Sequence, residues 1–272
     1  MNSNSKKIIL LSGPRTGSNL MTSLLASHKD IYMYNELFNL SILNQEQLYD
    51  IAQNSTSYLK NKLSRSDFKF VGFKLFYEHL KLNHFDIKWN REQILKNKKI
   101  STRLSTYIKL VSNDSLVTKL NKSLEETIKY ISTNKSFYII HLKRENKLDS
   151  LLSLKNAFIT DEWIRDGDNK VQYKPIILTV EECDRYFNEM ENHENYFDDL
   201  FKSHKLLNIV YEDLNKNRSS TLKKITSFLG LEFEEMKTYL SKQKNQPNSI
   251  LISNYNELKN EFKGMEWGKY FV

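Results

Sequence analysis

The chain has 272 residues, with 39% hydrophobic and 27% charged residues, which suits one large α/β unit with a sizeable core and excludes a disordered or collagen-like chain. A net charge of +8 and a pI near 9.2 fit an anionic ligand, and equally nucleic acid or a membrane surface. The basic residues are dispersed, and the densest run, Lys96 to Lys99 around Asn97, has no aromatic or glycine repeat beside it. A solvated basic surface is therefore preferred to a nucleic-acid face. One cysteine, Cys183, excludes an internal disulfide and suits a reducing cytoplasm. Apolar runs are too short for a transmembrane helix, and the Lys6-Lys7 start before Ile8–Leu11 lacks the length and cleavage site of a signal peptide.

Four runs read as strands: Lys7–Ser12, Phe68–Phe76, Phe137–Leu142 and Leu206–Tyr211. Helical patterns separate them, which predicts βαβ units and a mainly parallel sheet with its ligands beyond the strands' carboxyl ends. The first run feeds Gly13-Pro14-Arg15-Thr16-Gly17-Ser18-Asn19, and Leu20, Met21, Leu24 and Leu25 then recur at helical spacing. A strand, a glycine turn and a helix start make an anion cradle, because the first amides of a helix lack partners and sit at the positive end of its dipole. The nucleotide-triphosphatase loop G-x-x-x-x-G-K-[ST] is the nearest pattern, but its Lys and Mg²⁺-binding hydroxyl are missing and Arg15 lies inside the loop. That argues against a Mg²⁺-nucleotide kinase.

Capping boxes at Ser123-Leu124-Glu125-Glu126 and Thr179-Val180-Glu181-Glu182 predict helix starts. The second opens an amphipathic helix to about Lys202, with Cys183, Tyr186, Phe187, Met190, Tyr196, Phe197 and Leu200 as its stripe. Ser219 begins another helix, which Gly230 closes. Residues 76–120 and 160–178 fit no clear pattern and are assigned to a lid or acceptor pocket. No composition shift marks a boundary, so 1–272 reads as a single domain.

After the third strand, Arg144 leads into a helix that carries Ser150 and Ser153, and an Arg fork with a hydroxyl suits a second phosphate. With these residues in place the chain resembles the sulfotransferases that use 3′-phosphoadenosine 5′-phosphosulfate (PAPS). It is most similar to their bacterial carbohydrate-type branch, which includes trehalose 2-sulfotransferase and the nodulation-factor sulfotransferases. Pro14–Leu20 matches the 5′-phosphosulfate loop, and Leu142-x-Arg144-x-Asn146-x-Leu148 with Ser153 matches the 3′-phosphate site. Agreement continues through Ser27-His28, Asn35–Phe38, Gly72–Leu75, Tyr211–Leu214, Phe228–Leu231 and Lys242-Gln243.

The resemblance implies a P-loop-type three-layer α/β fold with a mainly parallel sheet flanked by helices. It implies transfer of the PAPS sulfuryl group to a hydroxyl of a carbohydrate, glycolipid or other small acceptor, releasing 3′,5′-adenosine bisphosphate (PAP), with no metal. Arg15, Thr16, Gly17, Ser18 and Asn19 would hold the 5′ side, Arg144 and Ser153 the 3′-phosphate (Ser150 being the other choice), and Lys242 would close over the donor. Glu36 is the implied base, its pKa raised by burial among Tyr34 and Phe38, and Lys74 is a second candidate for the transferring group. An edge lysine reaching solvent is the bland reading of Lys74. His28 and His141 compete as bases, each with a structural role as its alternative. A nucleotide-dependent kinase and a non-catalytic anion or nucleic-acid binder remain as other readings. Acceptor identity and homo-oligomerisation stay open.

Overall fold

The computed structural model describes residues 5–80, 113–160, 162–163, 175–240 and 246–271. Lys242, Gln243 and most of 76–120 and 160–178 lie outside them. Five strands form one sheet: β1 (Lys6–Ser12), β2 (Ile31–Glu36), β3 (Phe70–Phe76), β4 (Phe137–Lys143) and β5 (Lys205–Val210). Their order is β2-β3-β1-β4-β5, and every pairing is parallel. The sheet is thus wholly parallel, and β2 is a strand that the apolar runs do not announce. A bulge between Tyr34 and Glu36 sets Glu36 opposite Lys74.

The central strands β1, β3 and β4 are apolar on both faces because helices cover both. Ile9, Leu11, Val71, Phe73, Leu75 and Ile139 face α2 (Gln45–Lys62), α3 (Asp114–Thr133), α4 (Lys147–Thr160) and α5 (Val180–Phe201). Ile8, Leu10, Phe70, Ile140 and Ile209 face α1 (Ser18–Ala26), α6 (Tyr211–Lys216) and α7 (Arg218–Leu229). That is the three-layer P-loop-type arrangement. Two short helices, α8 (Asn248–Leu251) and α9 (Tyr255–Glu261), precede an aromatic tail in which Trp267 and Tyr270 pack on Phe187.

Helix starts follow the caps with one correction. Thr179 Oγ1 accepts from the Glu182 N–H at 3.1 Å, as its capping pattern predicts. Ser123, by contrast, lies inside α3, which begins nine residues earlier behind Asn113. Its hydroxyl is recruited by α2 instead. That helix breaks at Asn54 (φ −162°, ψ 90°), and Ser123 Oγ donates to Ile51 O at 2.6 Å and accepts from the Ser55 N–H at 2.8 Å. The α7 helix starts at Arg218 behind the Asn217 cap, and Gly230 ends it in the left-handed conformation (φ 67°). Tyr196 departs from the predicted stripe of α5 and is exposed.

Candidate active site

The loop between β1 and α1 turns on two left-handed residues, Arg15 (φ 58°) and Gly17 (φ 85°). Gly17 caps α1, and the first backbone bond of the helix runs from the Met21 N–H to Gly17 O at 3.0 Å, so the earlier amides point out of the helix end. Glycine is required at 17 for a second reason. A Cβ there would stand 2.3 Å from Tyr211 Cδ2. Thr16 Oγ1 donates to Gly13 O at 2.9 Å and braces the turn.

Arg144 leaves β4 and reaches this loop. Its Nη1 donates to Arg15 O at 3.0 Å, and its Nη2 pairs with Asp149 Oδ2 at 2.9 Å. The guanidinium lies 4.8 Å above the Tyr211 ring, while Nε is buried with no hydrogen-bond partner. Arg15 Nε in turn donates to Ser153 Oγ at 2.9 Å, and its Nη1 to Trp163 O at 2.7 Å. Ser150 is turned into the interior and 2% exposed, so of the two serines it is Ser153 that meets the loop. Tyr211 and Glu212, at the start of α6, also reach this region. Tyr211 fills the space between Gly17 and Arg144, and Glu212 accepts from the Glu145 N–H at 3.0 Å and the Asn146 N–H at 3.3 Å.

Across the loop, Lys74 is 1% exposed, which overturns the edge-lysine reading, because β3 lies inside the sheet between β2 and β1. Its ammonium pairs with Glu36 Oε1 at 2.7 Å and also donates to Asn19 Oδ1 on the first turn of α1. Glu36 Oε2 accepts from Asn39 Nδ2 at 2.5 Å and stands 3.9 Å from His79 Nε2. Burial pushes the Glu36 pKa up, but the charge of Lys74, the neighbouring His79 and the hydrogen bonds from Lys74 and Asn39 outweigh it, leaving the carboxyl below its ordinary value. That corrects the expected upward shift. Burial also lowers Lys74, against the pull of Glu36, with Arg15 lowering it further. The two remain an ion pair.

His79 belongs to the 3₁₀ turn Tyr77–Leu80 and was not foreseen. Its Nδ1 accepts from the Phe76 N–H at 3.2 Å, so the neutral ring carries its hydrogen on Nε2, toward Glu36. Burial holds its pKa down at about 4. The two histidines read as competing bases are elsewhere occupied. His28 is buried against Glu232 O at 3.1 Å, and His141 lies inside β4 between Tyr77 and Asp198.

Residues 7–235 match the model of the sulfotransferase family. The chain belongs to the sulfotransferase family. Among its relatives, the nodulation protein H of Rhizobium tropici is 26% identical over 97% of this chain and 92% of its own length. The protein of the same name from Rhizobium meliloti is 22% identical over 70% of this chain and 82% of its own. Structural overlap with the sulfotransferase domain of the Synechococcus PCC 7002 olefin synthase gives a TM-score of 0.40 at 15% identity, over 96% of this sulfotransferase-family chain and 89% of that domain. Mouse sulfotransferase SULT7A1 complexed with PAP gives 0.39 at 14% identity, over 99% and 90%. Among the described residues, no group of three or more His, Cys, Asp or Glu is placed to hold a metal ion. No described helix is long and apolar enough to cross a membrane.

Proposed function

We propose that this family member moves the sulfuryl group of PAPS to a hydroxyl of a carbohydrate or related small acceptor and releases PAP. One observation carries the reading. Two candidate anion grips, the Gly13–Asn19 loop and Arg144 with Ser153, lie side by side, joined by the bonds Arg144 Nη1 to Arg15 O and Arg15 Nε to Ser153 Oγ. A doubly phosphorylated adenosine is a ligand with an oxyanion for each grip. Residues here fit such a ligand, since Arg144 Nε is buried without a hydrogen-bond partner, with the carboxylate of Glu212 no nearer than 3.9 Å. Arg15 and the Thr16–Asn19 amides would hold the 5′ side and Arg144 with Ser153 the 3′-phosphate. Lys242 is assigned, by resemblance, to the closing contact.

The bound donor supplies an SO₃ group, whose sulfur–oxygen bond to the phosphate breaks as a bond to the acceptor oxygen forms. Glu36 takes the acceptor's proton on a carboxylate oxygen. Lys74, between Glu36 and Asn19, supplies positive charge where the transferred oxygens gather. The resemblance to the carbohydrate-type branch favours a glycan-type acceptor. We read the chain as one domain, and its one cysteine, buried and free, fits the cytoplasm.

Thermal-shift titration with PAP and ATP tests the donor. Selective stabilisation by PAP is expected, and a response to ATP alone, or to RNA alone, would replace this reading with a kinase or a nucleic-acid binder. Incubation with ³⁵S-labelled donor and fractionated extract then identifies the acceptor.

A further inference from the structure

Beneath the anion loop lies a chain of hydrogen-bonded polar side chains, running from the buried Tyr77 and His141 to the partly exposed Asp198, that the proposed reaction does not use. Tyr77 Oη is 2.7 Å from His141 Nε2, and His141 Nδ1 is 2.8 Å from Asp198 Oδ1. A carboxylate only accepts, so His141 carries its hydrogen on Nδ1, and Nε2 is left to accept from the Tyr77 hydroxyl. The ammonium of Lys143 takes the second oxygen of Asp198. Tyr77 and His141 are buried, at 2% and 0% exposure, and no water is needed to complete the set. Burial lowers the pKa of His141 and raises that of Tyr77 well above the ordinary value, which keeps the ring neutral and the phenol protonated.

This chain ends on the loop. A Cβ at Gly13 would be 3.2 Å from Tyr77 Cε2 and 3.1 Å from Met190 Sδ, so the phenol ring and the thioether form the floor under the first loop residue. Phe197, on the same helix as Met190 and Asp198, stacks on the Tyr77 ring with centroids 5.3 Å apart. One turn before Asp198, Glu194 pairs with Lys147, whose ammonium also donates to Arg144 O at 2.7 Å. Helix α5 thus braces both grips from below.

We infer that Tyr77, His141 and Asp198 are positioning residues that set the height of the anion loop, by tethering the ring on which Gly13 rests. The inference rests on the donor reading above. A polar triad inside a core has a simpler explanation, namely stability alone. The two differ in what the folded protein does. A tether that only stabilises changes the melting temperature and leaves the affinity of the folded protein for PAP unchanged. A tether that positions the loop changes that affinity too.

The test is calorimetric titration of the full chain with PAP, using Tyr77→Phe, His141→Leu and His141→Gln. Glutamine places a carbonyl oxygen near the position of Nε2 and restores the acceptor for Tyr77. Tyr77→Phe and His141→Leu are expected to weaken PAP about three- to tenfold, the range of one buried hydrogen bond, while His141→Gln recovers affinity close to that of the wild type. The donor KM should rise in the same two variants with kcat at saturation held. In ¹⁵N-histidine spectra the His141 ring should show Nδ1 protonation and shift on adding PAP. Wild-type binding of PAP with all three variants equal to it, only their melting temperatures moving, overturns the relay and leaves the donor reading standing. If the wild type fails to bind PAP, both fall. Should His141→Leu not fold, the contrast between Tyr77→Phe and His141→Gln decides the question.

Discussion

In the proposed reaction Glu36 serves as the base while its surroundings hold its pKa down. The lowered pKa makes the carboxylate a weaker base but keeps it ionised between pH 7 and 5, so the rate should not fall across that range for want of the base. Glu36→Gln is expected to lower kcat by about 100-fold or more and to leave PAP affinity unchanged, measured by initial rates and calorimetry; retained turnover would move the base elsewhere. Gly17 offers a second test. Its φ of 85° and the 2.3 Å approach of a Cβ to Tyr211 mean that Gly17→Ala must shift the ring that supports Arg144. Left-handed backbone alone costs about 1–2 kcal/mol for alanine, and a loss of PAP-induced thermal stabilisation is the expected result. The loop after β1 and Arg144 after β4 could be singled out as candidates because each follows a predicted strand end with a distinctive local pattern, whereas Glu36 was singled out by the resemblance alone. Tyr211 and His79 were not, since their roles depend on which strands become neighbours, and that is not written in either local sequence.

At the scale of elements, the polar seam between α2 and α3 separates stability from chemistry. Ser123 satisfies the Ile51 carbonyl and the Ser55 amide that the break at Asn54 releases, and Ser55 Oγ lies 2.5 Å from Thr127 Oγ1. Ser123→Val would leave a buried donor and a buried acceptor without partners. The expected cost is about 2–4 kcal/mol, read from urea unfolding, with PAP binding unaffected. Strands β1, β3 and β4 were readable as apolar runs because burial on both faces removes the polar alternation, and edge strand β5 was readable from its Leu206, Leu207, Ile209 and Val210 although only Ile209 is buried. Strand β2 was missed since its Tyr-Met-Tyr-Asn-Glu stretch carries polar residues at the sheet edge, where Asn35 is exposed. The Ser123 box misled for a different reason: its hydroxyl answers to a break in another helix, which no pattern in α3 records.

For the molecule as a whole, buried histidines set the response to acid. His79 titrates at about 4 in the folded chain because burial disfavours its charged form, and near 6.5 when unfolded. Its contribution is therefore fully present above about pH 6.5 and is lost as pH falls, amounting to about 3 kcal/mol by pH 4. His141, also lowered by burial, acts in the same direction. Asp198 extends the loss. Burial raises its pKa, but His141 and Lys143 hold it at about 2, so its share disappears below about pH 4. Melting temperatures between pH 7 and 4 should fall steeply in the wild type and less steeply in His79→Phe; equal slopes would assign the acid response to other groups. Finally, a sheet whose strands all run one way gathers its chemistry along one rim and leaves the other to connections. Asp67, Lys135, Ser136, Lys202 and Ser203 stand exposed just ahead of β3, β4 and β5 on that quiet rim. A fluorophore or a linker to a solid support attached there would sit a full strand length from the reacting groups, which makes it the natural side from which to handle this enzyme.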